Sequence, residues 1–198
     1  MVSLIRYATL ALHGADTQRW RFRISANRGS ILPDFTRRTP VFDRDDHHLF
    51  VNLGCAAETL LIVAGARGRA EAVYVEAAPE TRIDIDLTPA AARETARCAA
   101  IAWRKSTRTV FDEQPASAQD LTRLEAAARE DGVSAKILSA ENDPESVLDD
   151  VVQGNGTQMV DPAFVAERRG WISFSPEQAL SPNDGLFAAC SCNRVHPA

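Results

Sequence analysis

Residues 49–66 read LFVNLGCAAETLLIVAGA, and this stretch decides how the chain folds. Ala, Leu, Val and Ile dominate it, and Glu58 is its single charged residue. A long apolar run of this kind is typical of a helix that is buried on most of its surface. Gly65 and Gly68 mark its end, because glycine is favoured where a helix terminates. The sequence therefore predicts a central buried helix over residues 49–66.

Upstream of this helix, residues 19–24 alternate apolar residues with arginines. Because successive side chains of a strand point to opposite faces, the alternation predicts a strand. Its apolar face carries Trp20, Phe22 and Ile24, and its other face carries Arg19, Arg21 and Arg23. The arginine row is typical of a solvated face or of a sheet edge.

The remaining short elements of the first half are a helix and a pair of strands. Residues 4–11 have apolar side chains at helical spacing up to Gly14, which predicts a short amphipathic helix. Residues 72–76 and 82–87 have the composition and alternation of strands. We expect these two strands to pair as a hairpin across Pro79.

The second half is mostly helical in its pattern. Pro89 is predicted to open an alanine-rich helix that reaches Trp103, since proline is tolerated in the first turn. Another helix is predicted to start after Ser117, with Asp120 in its first turn, and to end at Gly132. The remaining predictions are a strand over 133–138 and helices over 144–152 and 162–169. This mixed order predicts an α+β fold rather than a regular alternating parallel sheet.

The composition is that of an ordinary water-soluble domain. The chain has 198 residues, of which 45% are hydrophobic and 25% charged, and its formal net charge is −5. This length predicts one domain over residues 1–198. Within it, we interpret residues 1–88 as a first repeat-like part and residues 89–198 as a partial second repeat. The sequence pI of about 5.4 argues against a nucleic-acid-binding protein. Arg6 interrupts the apolar start of the chain, so we expect neither a leader nor a membrane anchor, and a cytoplasmic location.

Metal and disulfide chemistry find little support in the sequence. The four cysteines, Cys55, Cys98, Cys190 and Cys192, have neither disulfide-framework nor zinc spacing, so we expect unpaired thiols. His47 and His48 follow several aspartates, but adjacent residues of a helix point about 100° apart and do not share one ion readily. We expect no metal site. The Gly154-Asn155-Gly156 stretch is interpreted as a turn.

The segment Arg104-Lys105-Ser106-Thr107-Arg108 gathers three cations and two hydroxyls. In an extended segment Arg104, Ser106 and Arg108 share a face, and two guanidiniums with a hydroxyl suit a phosphate monoester. The alternative is that these cations only complement the dipole at the C-terminus of the preceding helix. Spacing alone leaves both interpretations open.

Residues 4–22, LIRYATLALHGADTQRWRF, resemble a segment of the flavin-dependent nitroreductases. In that family a helix is followed by Ala-Pro-Ser, by an Asn, and by Gln-Pro-Trp with a Phe two residues on. The Arg104, Ser106, Arg108 spacing resembles the family's Arg-x-Ser-x-Arg phosphate motif. Residues 31–40, 43–58 and 161–186 also resemble the subgroup related to a mycobacterial dormancy-associated protein, in which two nitroreductase-like halves are fused. Compared with that subgroup, this chain looks shortened at its C-terminal end.

This resemblance implies a nitroreductase-like α+β fold that binds FMN and takes a hydride from NAD(P)H to reduce a nitro, quinone or similar acceptor. It further implies a homodimer. Carried over by position, Arg104, Ser106 and Arg108 would hold the FMN phosphate. The turn residues His13, Gly14, Asp16 and Gln18 would border the flavin ring.

The chain departs from the family pattern at three places. It has Leu12-His13 in place of Pro-Ser, Asp16 in place of Asn, and Arg19 in place of the Pro before Trp. An ionised aspartate accepts hydrogen bonds but cannot donate them as an amide does. The alternative function is therefore a non-catalytic protein that binds or sequesters flavin, or acts through protein contacts in a stress response.

Overall fold

A four-stranded antiparallel sheet and one long helix form the centre of the fold, which this computed structural model describes for residues 1–76, 80–106, 114–138, 144–180 and 184–188. The strands are β1 (Trp20–Ile24), β2 (Arg28–Pro33), β3 (Arg69–Glu76) and β4 (Arg82–Pro89). Their order in the sheet is β1-β2-β4-β3. β1 and β3 are therefore its two edges.

The core lies between the inner face of this sheet and two helices, α1 (Val2–Ala8) and α2 (His47–Ala66). Cross-strand pairs such as Phe22 with Ile31 and Val73 with Ile85 place apolar side chains on one face of the sheet, because paired residues share a face. The buried apolar residues that α2 contributes to this core are Leu49, Leu53, Ala56, Ala57, Leu60, Val63 and Ala64.

By length and composition alone α2 is also apolar enough to cross a membrane, and it is the one such helix among the described residues. However, it packs through Leu49, Leu53 and Leu60 against the other elements of the core. Because the core helix of a soluble protein has the same length and composition, this helix is weak evidence for a membrane span.

Chain contacts divide the protein into two compact units, Met1–Arg108 with Ala166–Ala198, and Thr109–Val165. Beyond the sheet the chain forms α3 (Ala96–Trp103), α4 (Ala118–Ala127), α5 (Pro144–Met159), α6 (Pro162–Gly170), β5 (Ile172–Ser173), α7 (Pro176–Leu180) and β6 (Leu186–Phe187). β5 and β6 pair in parallel as a separate two-stranded sheet.

The predicted α+β class is confirmed, as are the central helix and the pairing of the strands at 69–76 and 82–89. Pro79, where we placed the turn of that hairpin, lies outside the described residues. β2 was not predicted. Its residues RGSILP contain Gly29 and end at Pro33, and consecutive residues 29–32 are buried, so the period-two alternation that reveals a half-buried strand is absent.

Three local predictions are wrong. Pro89 ends β4 instead of opening a helix, and α3 begins only after Thr95, whose side chain accepts a hydrogen bond from the Cys98 amide at 3.4 Å. Residues 133–138 form no strand among the described residues, apart from an isolated bridge between Glu130 and Val133. The stretch 154–156 is helical rather than a turn, because α5 continues through both of its glycines.

Candidate functional site

The segment between α1 and β1 has an unusual backbone. Gly14–Asp16 form a short 3-10 turn, and Ala15, Asp16 and Gln18 have φ angles of 50°, 55° and 47°. Positive φ is uncommon for residues other than glycine, and it persists only where the surroundings impose it. Such residues cluster at ligand-binding and catalytic sites, so this turn is the first candidate for function.

Contacts from two distant parts of the chain hold this turn. The Arg37 Nε donates to the Thr17 carbonyl at 2.6 Å, and the Gly185 amide donates to the Asp16 carbonyl at 2.9 Å. Arg37 also forms an ion pair with Asp184, so both contacts belong to one connected group. The turn is therefore fixed by chain segments on either side of α2.

Arg19 lies directly behind the turn and is completely buried. Its guanidinium donates to the Thr17 hydroxyl at 2.8 Å, to the Thr39 hydroxyl at 2.7 Å and to the Asp43 carboxylate at 2.8 Å. The prediction that Arg19 joins Arg21 and Arg23 on a solvated face is wrong. The alternation was correct, but polar partners from the segment after β2 enclose this one arginine.

Asp43 connects the Arg19 cluster to the start of α2. Its two carboxylate oxygens accept hydrogen bonds from the backbone amides of His48 and Leu49, each at 3.0 Å. Burial raises the pKa of Asp43, but these hydrogen bonds and the Arg19 charge outweigh it, so the pKa is lowered overall. Asp43 therefore stays ionised and satisfies amides that the first turn of a helix leaves without partners.

A cleft of about 200 Å³ lies beside the turn, within the larger unit. His13 and Asp16 from the turn border it, together with Arg104 and Ser106 from the end of α3. Ala11, Leu12 and Leu186 complete its lining. The structure thus brings four of the predicted site residues to one place, although about ninety positions of sequence separate the two pairs.

Arg104 is tethered at the rim of the cleft. Its Nη2 donates to the Leu10 carbonyl at 3.0 Å, and its Nη1 lies 3.4 Å from the Ser106 hydroxyl. A guanidinium has five N–H groups, so among the described residues three of them stay available to an anion. The contact with Leu10 joins the end of α3 to the end of α1.

His13 and Asp16 form a second pair in the cleft. The His13 Nε2 lies 3.0 Å from the Asp16 carboxylate, and its ring packs edge-on against Trp20 with centroids 5.0 Å apart. The His13 Nδ1 is buried and has no hydrogen-bond partner among the described residues. Most buried polar atoms in proteins are hydrogen-bonded, so this atom is an exception within the site.

The other predicted site residues lie elsewhere. Gly14 is part of the turn but does not border the cleft, and Gln18 borders a second cleft of about 310 Å³. Arg108 lies outside the described residues. The second cleft is also lined by Thr9, Trp20, Phe22, Asp34, Arg37 and Asp184. No role was predicted for Asp34, Arg37 or Asp184.

Asp34 is the charged group of this second cleft whose ionisation is most strongly altered. The Arg21 guanidinium donates to it at 2.7 Å and the Thr36 amide at 3.1 Å. The Arg21 hydrogen bond is the main reason that the pKa of Asp34 falls from 3.8 to about 2.

We expect the Asp34 carboxylate to give the fold a pH-dependent part of its stability. Because its pKa is lowered by folding, this stability is fully present above about pH 4 and is lost as the pH falls toward about 2. The difference between the urea unfolding midpoints of the wild type and Asp34→Asn should therefore be constant from pH 7 to 5. It should become smaller between pH 4 and 2. A gap of unchanged size at pH 2 would contradict this assignment, and Arg21→Ala should reproduce the narrowing.

Two other reactive groups near these sites are already accounted for. Burial raises the pKa of the Cys55 thiol, and the nearby Arg104 charge offsets this only in part, so the thiol is protonated at neutral pH. The His48 Nδ1 lies 3.1 Å from the Asp43 carboxylate, and the His48 ring packs edge-on against His47 with centroids 5.5 Å apart. Within the described ranges there is no cluster of three or more metal-ligating side chains. Cys190 and Cys192 lie outside those ranges.

A scan against protein-family models found no match, and a search of the curated proteins also found none.

Proposed function

We propose that the chain is a nitroreductase-like FMN protein that uses NAD(P)H to reduce nitro, quinone or similar acceptors. One observation carries this proposal: the Arg104 and Ser106 pair shares a cleft with His13 and Asp16 of the strained turn. These are the two halves of the site that the resemblance to nitroreductases implies. In one chain of this length they meet without a second copy of the protein.

The donor set of the cleft suits a phosphate monoester. Arg104 offers a fixed positive charge with planar N–H groups, and Ser106 offers a hydroxyl. His13 borders the same cleft, with its Nε2 atom 3.0 Å from the Asp16 carboxylate.

The size of the cleft agrees with one end of a flavin nucleotide. Its volume of about 200 Å³ is smaller than the roughly 300–1,000 Å³ of sites that enclose a whole cofactor-sized ligand. We therefore assign the Arg104 and Ser106 side of the cleft to the phosphate, and the His13 and Asp16 side to the part of FMN that leads to the ring.

When bound, FMN supplies the hydride and electron transfer between NAD(P)H and the acceptor. Arg104 neutralises the phosphate, and its contact with the Leu10 carbonyl fixes its position. The turn places Asp16 at the cleft, where its carboxylate accepts hydrogen bonds, and the His13 contact at 3.0 Å orients that carboxylate.

Asp16 favours the second candidate function, a flavin-binding protein without reductase activity. The nitroreductase pattern has an amide at this position, which donates a hydrogen bond, whereas an ionised carboxylate does not.

In the reductase proposal we place the protein in the cytoplasm, where NAD(P)H is available.

Binding of FMN to the flavin-stripped full chain tests the proposal. We expect Arg104→Ala to raise the dissociation constant for FMN by about 10- to 150-fold. This is the equivalent of about 1.5–3 kcal/mol, the contribution of a charge-assisted contact. Riboflavin, which lacks the phosphate, should lose no affinity. Fluorescence titration measures both ligands. Anaerobic addition of NADPH to the complex then separates the candidates, because bleaching shows a reductase and unbleached flavin shows storage.

Arg97→Ala is the matched control for this titration. Arg97 lies in α3, which ends directly before Arg104, and the variant removes the same charge. However, the Arg97 side chain is 72% exposed and borders a different cleft. We expect it to leave FMN affinity unchanged. Equal losses in the two variants would reduce the effect to general electrostatics, and wild-type affinity in Arg104→Ala would remove the phosphate assignment.

A further inference from the structure

Among the described strands, the edge strand β3 is paired on one side only. It pairs with β4 along its whole length, and no described strand lies on its other side. Val73 and Val75 are 45% and 75% exposed, and Tyr74 between them is also exposed. An edge strand that is long and apolar is a template for pairing with another chain.

Hydrogen bonds at the end of the sheet show which backbone groups of β3 face outward. The Ala90 amide donates to the Gly68 carbonyl at 2.9 Å, while the Leu87 amide donates toward the β2 side, to Asn27, at 2.8 Å. Because hydrogen-bonded pairs alternate along an antiparallel ladder, the even-numbered residues of β3 bond to β4. The N–H and C=O groups of Glu71, Val73 and Val75 therefore point away from the sheet.

The same three residues lie on the core face of the sheet. They pair with Leu87, Ile85 and Ile83 of β4, and cross-strand partners share a face. The core buries Leu87 and Ile85 but leaves Val73 and Val75 exposed. A cleft of about 520 Å³ continues this face, lined by Leu61 and Ile62 of α2 and by the charged residues Glu58, Glu71, Arg93 and Arg97.

The opposite edge, β1, differs in its charge. Arg21 and Arg23 are both about 60% exposed there, so a second copy of that edge would meet like charges. On the β3 side, the negative charges of the two glutamates in the 520 Å³ cleft equal in number the positive charges of its two arginines. An interface with two-fold symmetry brings a patch against its own copy, and a balanced patch can pair its acids with its bases in that arrangement.

We propose that β3 of one copy pairs antiparallel with β3 of a second copy, so that two four-stranded sheets join into one. A two-fold axis beside Val73 makes its outward N–H and C=O groups bond to those of Val73 in the second copy. Val75 then lies opposite Glu71. The exposed valines and the adjoining 520 Å³ cleft become the apolar and charged parts of the interface.

Sedimentation of the full chain tests this dimer. We expect the wild type to have twice the 21.6 kDa chain mass, and Val73→Pro to raise the dimer dissociation constant at least about tenfold. Proline removes the outward N–H in both copies, yet an edge strand tolerates it at a position that gives no hydrogen bond to its neighbour. A wild type of single-chain mass overturns the proposal, as does a Val73→Pro dimer of unchanged affinity.

Ile24→Pro is the matched control on the other edge. The Ser25 amide donates to the Arg28 carbonyl at 2.9 Å, so by the same alternation the Ile24 amide points away from β2. This variant should dimerise like the wild type, and equal dissociation of both proline variants would exclude β3 as the interface. Should Val73→Pro not fold, Val73→Lys places two like charges opposite each other and must also weaken the dimer, or the proposal fails.

Discussion

Arg19→Ala is expected to lower the free energy of unfolding by about 3–5 kcal/mol, the cost of leaving a buried partner charge uncompensated. Arg19 and Asp43 are both buried, and the guanidinium also donates to Thr17 and Thr39. Removing it leaves a carboxylate and two hydroxyls without their partner inside the protein. Urea unfolding followed by tryptophan fluorescence measures the loss, since Trp20 is the next residue in the chain.

Arg23→Ala provides the comparison for Arg19→Ala. This arginine belongs to the same alternating stretch, but its side chain is exposed and its Nη1 lies 3.4 Å from Glu80. An exposed pair contributes about 0–1 kcal/mol, so we expect a small effect. If the two variants lose similar stability, the buried cluster does not have the role assigned to it.

Arg19→Ala should also weaken the binding of FMN, because the turn loses its contact with the Arg19 guanidinium through Thr17.

Leu60→Ala is expected to have an effect of similar size, about 3–5 kcal/mol, through a different cause. Leu60 is completely buried on the face of α2 that meets the sheet. Truncation removes apolar contacts and leaves a cavity that the neighbouring elements fill only in part. The same urea experiment measures it, with the dependence on denaturant checked for a change in slope.

Val51→Ala is the control on the same helix. Val51 is about half exposed, so its truncation opens no cavity, and we expect a change within about 0.5 kcal/mol. A large loss in Val51→Ala would mean that α2 is covered on this face as well. A small loss in Leu60→Ala would contradict the central position of the helix.

Local pattern was enough to predict those elements whose burial follows their own sequence. The apolar run of α2 and the alternation in β1 and β4 indicate which faces of these elements are buried. The sequence of β2 has no such alternation, because most of this strand is buried on both faces. Residues 133–138 have strand composition, but a strand also needs a partner, which composition does not supply.

The same distinction applies to the candidate site. Residues within a local motif were predicted, whereas residues placed by contacts distant in sequence were not. His13, Asp16, Arg104 and Ser106 were selected through motifs, and the structure places them at one cleft. Arg37 and Asp184, which hold the turn, are 147 positions apart and carry no local signal for their contact. Arg19 shows the same limit, since its burial depends on Thr39 and Asp43, twenty or more residues away.

The shared carboxylate of Asp43 has a dynamic consequence. It accepts hydrogen bonds from the first turn of α2 and from the guanidinium behind residues 14–18, so opening of either segment removes partners from the carboxylate on which the other segment depends. The two segments should therefore open as one cooperative unit. In hydrogen exchange, the amides of His48 and Leu49 would then report the opening of a turn some thirty residues before them.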